Sequence, residues 1–235
     1  MADLFTKWST DRAGGGLPLT GAGSGWDNAG MENEGNLIQT TTELALHMVR
    51  GYARPGMTAV DATCGNGHDT LALARMEPAR LFAFDVQPAA VEATERLLGE
   101  NGFGARLADG TFTAACLGHE EMGAFLRDAK ATPDIIVFNL GYLPGGDKAL
   151  TTTAETTLPA VEQALELLAE DGLICVTMYS GHDAGKKEKA ALLAFAEELD
   201  SRLWHTAYIQ MRNQKNDPPE ILLITRKRAN RSAAR

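Results

Sequence analysis

The stretch Thr58-Ala-Val-Asp-Ala-Thr-Cys-Gly-Asn-Gly-His-Asp-Thr70 decides the fold. Thr58 to Ala62 reads as a short buried strand, Gly65-Asn66-Gly67 as a turn, and the spacing from about Asp69 to Met76 as a helix. A strand that ends in an acid, turns through glycines and opens a helix is a unit of a doubly wound fold. In such folds ligands bind outside the carboxyl ends of the strands. Gly65 and Gly67 can take positive φ and leave room for a ligand. The dinucleotide fingerprint is not completed, because Thr70 stands three residues after Gly67. The acid before the loop and the amide and charge within it suit a cofactor bearing an ammonium and a carboxylate better than one bearing a pyrophosphate. An ordinary Gly-Asn-Gly turn is the competing reading.

Outward from this stretch, strand and helix patterns alternate. Upstream, Thr40 and Glu43 form a T-x-x-E capping box before Leu44, Ala45, Met48 and Val49, and Arg54-Pro-Gly56 ends that helix. Downstream, Leu81–Asp85 predicts a strand, Pro88–Asn101 a helix with proline in its first turn, and the segment from Ala105 to Cys116 contains a third strand. His119–Lys130 reads as helix, Asp134–Phe138 as strand, Ala154–Leu168 as helix, Leu173–Met178 as strand and Lys186–Leu199 as helix. Trp204–Met211 and Ile221–Thr225 close the chain as two strands, joined by a Pro-Pro loop too short for a crossover helix. The expected architecture is therefore α/β: a seven-stranded, mostly parallel sheet with an antiparallel C-terminal hairpin and helices on both faces. That is also the layout of Rossmann-like class I methyltransferases, although periodicity alone gives only a doubly wound α/β fold.

At 235 residues the chain suits one well-filled domain. No run approaches the ~20 apolar residues of a membrane span, and the first residues lack the basic-then-apolar pattern of a secretory signal. Cys64, Cys116 and Cys175 form no C-x-x-C pair, which fits a reducing cytoplasm and neither a disulfide framework nor a zinc site. The net charge of −9 argues against a protein that coats nucleic acid through a broad basic face, while it permits an RNA substrate. Arg226, Lys227, Arg228, Arg231 and Arg235 crowd the last ten residues; setting those five cations aside leaves −14 on the rest. Residues 1–36 read as a flexible Gly-rich leader, 37–227 as the folded domain and 228–235 as a basic tail.

The polar residues that end the strands are the candidates for chemistry. Asp61, Cys64, Gly65, Asn66, Gly67 and Asp69 belong to the first loop, the expected cofactor cradle. Asp85 ends the second strand, where an acid accepts hydrogen bonds from both ribose hydroxyls of a nucleoside cofactor; Gln87 reaches the same sugar or the adenine edge. The competing role for Asp85 is capping the helix that begins at Pro88. His119 follows the third strand on the expected adenine side; with Glu120 it resembles a truncated zincin motif whose second histidine is replaced by Gly123, so no metal is implied. The fourth strand runs into Asn139-Leu-Gly-Tyr-Leu-Pro-Gly-Gly-Asp-Lys148. Amino methyltransferases often carry Asn-Pro-Pro-Tyr at this point, and here Asn139 and Tyr142 remain while Leu140 and Gly141 replace the prolines. The Asn carbonyl and the following backbone carbonyl accept the two amine hydrogens and aim the nitrogen lone pair, while the aromatic ring stacks on the base. Asp147 is a candidate proton acceptor, since an alkyl amine must lose a proton before it attacks.

Asp61–Thr70, Phe138–Lys148, Tyr179-Ser-Gly-His182 and Asn213-Gln-Lys-Asn-Asp-Pro-Pro219 together resemble the MnmM (YtqB-like) family, a group also labelled rRNA methylase, over roughly Leu37 to Thr225. The resemblance implies an S-adenosyl-L-methionine-dependent methyltransferase acting on 5-aminomethyl-2-thiouridine at the tRNA wobble position. It places cofactor contacts on Asn66, Asp69, Asp85, Gln87 and His119, and substrate contacts on Tyr142, Gly145, Lys148, His182, Asn213 and Asn216. The partner implied is tRNA at its anticodon region, with no membrane and no metal; a homodimer is left open. The compact members of the family lack the Gly-rich leader. Two alternatives remain at this level: an amine methyltransferase with another RNA or a small-molecule substrate, and a non-catalytic nucleotide-binding module.

Overall fold

The computed structural model describes residues 40–142, 151–215 and 217–227. The expected leader, the basic tail, and Gly145, Asp147, Lys148 and Asn216 lie outside the described residues.

Seven strands form one sheet: β1 (Thr58–Asp61), β2 (Arg80–Asp85), β3 (Phe112–Cys116), β4 (Ile135–Asn139), β5 (Leu173–Met178), β6 (Trp204–Ile209) and β7 (Glu220–Arg226). Their order is β3-β2-β1-β4-β5-β7-β6. The first five pair in parallel, and β7 lies between β5 and β6, antiparallel to both. The C-terminal hairpin thus docks through its second strand, as the short loop between β6 and β7 permits.

The helices are α1 (Thr41–Arg50), α2 (His68–Ala74), α3 (Pro88–Leu98), α4 (Gly104–Ala108), α5 (Met122–Asp128), α6 (Ala154–Leu167) and α7 (Asp183–Glu198). Alternation along the strands feeds two apolar layers. Ile135 and Val137 pack with Ala45 and Val49 of α1, Leu71 and Leu73 of α2, and Leu98 of α3. Ile136 and Phe138 pack with Met122 and Leu126 of α5, Val161 and Ala164 of α6, and Leu192 and Ala196 of α7. Helices therefore cover both faces, as the strand–helix alternation requires. Chain order reverses at β1, which pairs with β2 on one side and β4 on the other; ligand crevices open at such a reversal. Asp61, Asp85 and Asn139 are the last residues of β1, β2 and β4, so all three stand at the carboxyl edge of the sheet.

Element boundaries shift by a few residues in several places, and three of the shifts have a clear local cause. The helix expected over Pro88–Asn101 stops at Leu98, and Asn101 and Gly102 leave helical geometry, Gly102 at φ 89°. The third strand is confined to Phe112–Cys116: Gly104–Ala108 is helical, and Asp109 Oδ1 accepts the Thr111 N–H (2.9 Å) in a turn with Gly110 at φ 74°. Helix α7 begins at Asp183, three residues before Lys186, because His182 caps it.

Candidate active site

The loop after β1 is built from backbone contacts. The Cys64 N–H donates to the Phe84 carbonyl (2.8 Å), and the Gly67 N–H to the Cys64 carbonyl (2.7 Å). Gly65 and Gly67 take φ of 51° and 82°. A Cβ at Gly67 would lie 2.9 Å from Thr94 Cα, so only glycine lets the start of α2 close on α3. The Thr94 hydroxyl donates to the Gly65 carbonyl (3.3 Å). Asn66 is exposed at the tip; Cys64 is buried, and burial pushes its thiol up, leaving it a neutral packing group.

Three carboxyl groups surround this loop. Asp61, fully buried, accepts the Thr63 N–H (3.2 Å) and the Thr70 hydroxyl (2.5 Å). Burial, and next the charge of Asp69, nevertheless push its pKa up to about 7. Burial also raises Asp69, against a hydrogen bond from Asn139. Asp85 accepts the Gly65 N–H on Oδ2 (3.0 Å) and the Gln87 N–H on Oδ1 (2.9 Å). The N-cap of α3 is Gln87, so Asp85 does not cap that helix; it ties the loop to the end of β2 and keeps lone pairs on both oxygens. Among the described residues no lysine or arginine forms a salt bridge to Asp61, Asp69 or Asp85.

Asn139 joins this cluster from β4. Its N–H donates to the Thr63 hydroxyl (2.7 Å), and its Nδ2 donates to Asp69 Oδ2 (3.1 Å). The second bond fixes which way the amide faces, and Oδ1 is left buried with no partner. Beyond it, Gly141 takes φ 144° and is held in both directions: its N–H donates to the Thr152 hydroxyl (2.9 Å) and its carbonyl accepts the Thr152 N–H (3.0 Å). Tyr142 is exposed and bridges to Thr151, with its ring 5.9 Å from that of His182. His182 Nδ1 accepts the Gly185 N–H (3.1 Å), so the ring proton of the neutral imidazole sits on Nε2, which is buried and unpartnered.

His119 is buried at the start of a short turn ahead of α5, its Nε2 3.3 Å from the Thr157 hydroxyl and its ring edge-on to Phe138. Burial lowers its pKa and keeps it neutral. Gln87 is half-buried beside Asp85, and Asn213 is exposed in the turn between β6 and β7, with no described hydrogen bond to Asn139, Tyr142 or His182. The structure thus joins Asp61, Asp69 and Asn139, joins Asp85 to Gly65, and sets Tyr142 beside His182. Sequence reasoning missed Thr63, Thr70 and Thr94, which carry no local signal. It also missed Glu188, whose signal was its place on the stripe Gly185, Glu188, Leu192 and Ala196 that α7 buries.

Residues 81–225 match the model of the family described as "Putative rRNA methylase". A chloroplastic tRNA (mnm(5)s(2)U34)-methyltransferase of Arabidopsis thaliana is 35% identical over 197 residues, which span 79% of this chain and 69% of that protein. A solved Clostridium thermocellum protein described as a "putative rRNA-methylase" is 34% identical with a TM-score of 0.74, over 81% of this chain and 99% of its own. A Streptococcus mutans protein described as "a putative methyltransferase", solved in complex with SAH, is 31% identical with a TM-score of 0.71, over 81% of this chain and 99% of its own.

Proposed function

The chain belongs to this rRNA methylase family, and on that premise we propose that it is an S-adenosylmethionine-dependent tRNA methyltransferase. Its reaction is N-methylation of the aminomethyl group of wobble 5-aminomethyl-2-thiouridine, the class of reaction for which the Arabidopsis relative is named. The observation that carries the reading is Asn139 Oδ1: a buried acceptor, fixed in direction by Asp69, unpartnered, and set at the end of β4 beside the cofactor loop.

The residues present fit the cofactor. Three carboxyl groups that form no salt bridge to a lysine or arginine among the described residues suit a ligand bearing an ammonium and a sulfonium, and Gly65 and Gly67 leave two positions of the loop without side chains. Asp61, the loop 64–67 and Asp69 would hold the amino-acid end, Asp85 and Gln87 the ribose, and His119 the adenine side. When bound, S-adenosylmethionine supplies an electrophilic methyl group on positively charged sulfur. The protein's own task is placement: Asn139 Oδ1 accepts one hydrogen of the neutral amine, and the next backbone carbonyl accepts the other. Tyr142 offers a stacking face to the base, and His182 Nε2–H a donor beside it. Asp147 takes the amine's proton, and Gly145, Lys148, Asn213 and Asn216 complete the substrate side. Positioning of this kind supplies most of what methyl transfer to a neutral amine needs. The partner in this reading is the anticodon region of tRNA, and the compartment the cytoplasm; among the described residues no helix is long and apolar enough to cross a membrane.

The test is methyl transfer by purified protein to tRNA bearing 5-aminomethyl-2-thiouridine, with mass spectrometry of nucleosides from cells lacking the gene. Accumulation of the aminomethyl nucleoside and loss of its methylated form are expected. Unchanged nucleosides and no transfer in vitro would overturn the assignment.

A further inference from the structure

A chain of hydrogen bonds links Gly141 to His119 through Glu188. Glu188 lies on α7 and is 3% exposed. Its Oε2 accepts the Thr152 hydroxyl (2.9 Å) and its Oε1 the Thr157 hydroxyl (2.6 Å). Thr152 in turn accepts the Gly141 N–H (2.9 Å), and Thr157 lies 3.3 Å from His119 Nε2. Among the described residues no cation forms a salt bridge to Glu188; its neighbour Lys189 is bound to Glu220. Leucine at this position would continue the buried stripe toward Leu192 and Ala196 without the cost of burying an acid. What a carboxylate gives here, and leucine cannot, is two acceptors facing opposite ends of the site.

We propose that Glu188 is a positioning residue of the methyl-transfer site, holding the neck of the Asn139–Tyr142 segment through Thr152 and setting the tautomer of His119 through Thr157. The proposal rests on the functional reading above for its effect on rate, and on geometry alone for its effect on His119. A backbone N–H can only donate, so Thr152 must accept from Gly141, and its single hydroxyl proton is committed to Glu188. Gly141 is in a backbone conformation that favours glycine, and this pairing keeps it there, between the Asn139 amide and the Tyr142 ring. On the other side Thr157 donates to Glu188, so its oxygen accepts from His119. The proton of the neutral imidazole then sits on Nε2, and Nδ1 is left as a bare acceptor. Gln163 braces the same turn from α6, accepting the Gly123 N–H (2.9 Å) and donating to the Glu120 carbonyl (2.7 Å).

The variants Glu188→Gln and Thr152→Val separate the two arms. In Glu188→Gln the amide carbonyl should face Thr152 to keep an acceptor for its hydroxyl proton, because Thr157 has His119 Nε2 as an alternative acceptor, so the NH2 faces Thr157. Thr157 then turns its proton to His119 Nε2, and the ring moves its own proton to Nδ1. Nitrogen-15 spectra of histidine-labelled protein, with the His119 signals assigned by a His119→Gln variant, should show Nε2–H in the parent and Nδ1–H in Glu188→Gln. Thr152→Val should keep the parental tautomer, yet slow single-turnover methyl transfer by about tenfold to a hundredfold, the effect of misplacement on the order of 1 Å. An unchanged His119 tautomer in Glu188→Gln, or parental transfer by Thr152→Val, would overturn the proposal. If the parent itself methylates no tRNA, the functional reading fails instead, and the tautomer comparison, which needs no substrate, still decides the role of Glu188.

Discussion

Asn139 shows how much a single side chain can be asked to do at a strand end. One half of its amide is spent on Asp69, and that bond leaves the other half aimed and unpaired. Asn139→Ala should therefore bind S-adenosylmethionine almost as the parent does and lose about a hundredfold in single-turnover rate, because the amine is no longer held in line. A parental rate would show that the acceptor lies elsewhere. Asp85→Ala should fail differently. Its carboxylate organises Gly65 and Gln87 and keeps lone pairs for the sugar, so its loss should weaken cofactor binding by about 1–3 kcal/mol in calorimetry, and unchanged affinity in a folded variant would refute the ribose role. Asp61 also bears on stability. Burial puts its pKa at about 7 in the folded chain, whereas an unfolded aspartate titrates near pH 4. Between those values the folded state holds the extra proton, so this group's contribution to stability falls as pH rises from about 4 to about 7. The full cost of the ionised form is on the order of 4 kcal/mol. The stability gap between Asp61→Asn and the parent, read from urea midpoints, should shift in favour of the variant across that interval. A gap that stays constant with pH would show that Asp61 titrates normally.

At the scale of elements, His182 does two things that one substitution can separate. Its Nδ1 caps α7, the helix that presents Glu188, and its Nε2–H lies unpartnered near Tyr142. His182→Ala should cost about 1 kcal/mol through removal of the cap. His182→Asn keeps an acceptor for the Gly185 N–H, so its melting temperature should stay close to the parent's while tRNA methylation falls. Full activity in His182→Asn would reduce His182 to a cap. The elements themselves were largely legible in the sequence, because apolar runs stop at a polar residue where each strand reaches the ligand edge, as at Asp61, Asp85 and Asn139. The early start of α7 was not, since histidine is an uncommon cap and the pattern before Lys186 is not amphipathic. Nor was the network behind the site. Thr63 meets Asn139 from 76 positions away, and Thr157 meets Glu188 from 31, and hydroxyl groups leave no periodic trace. Glu188 alone was within reach of a sequence reading, as an acid on an otherwise small and apolar helix face.

For the whole molecule the question is how much of the chain the reaction needs. About four-fifths of it, 81%, matches nearly the entire length of the bacterial relatives, so those proteins complete the same fold without a counterpart to the remainder. The body that does the chemistry is acidic, with −9 overall and more once the C-terminal cations are set aside. Affinity for a polyanion must then come from a few well-placed groups near the site rather than from a general field. Residues 37–227 alone should consequently fold, bind S-adenosylmethionine, and methylate tRNA at a rate within a few-fold of the full chain, with a melting temperature within a few degrees. The salt dependence of tRNA binding is the sharper readout. If Arg228, Arg231 and Arg235 touch phosphates, deleting 228–235 lowers the slope of log affinity against log salt by about 0.7–0.9 for each phosphate no longer neutralised, while an uninvolved tail leaves the slope unchanged. A truncated protein that binds the cofactor normally but loses tRNA and salt dependence together would place part of the recognition surface in the termini, outside the fold that its bacterial relatives share.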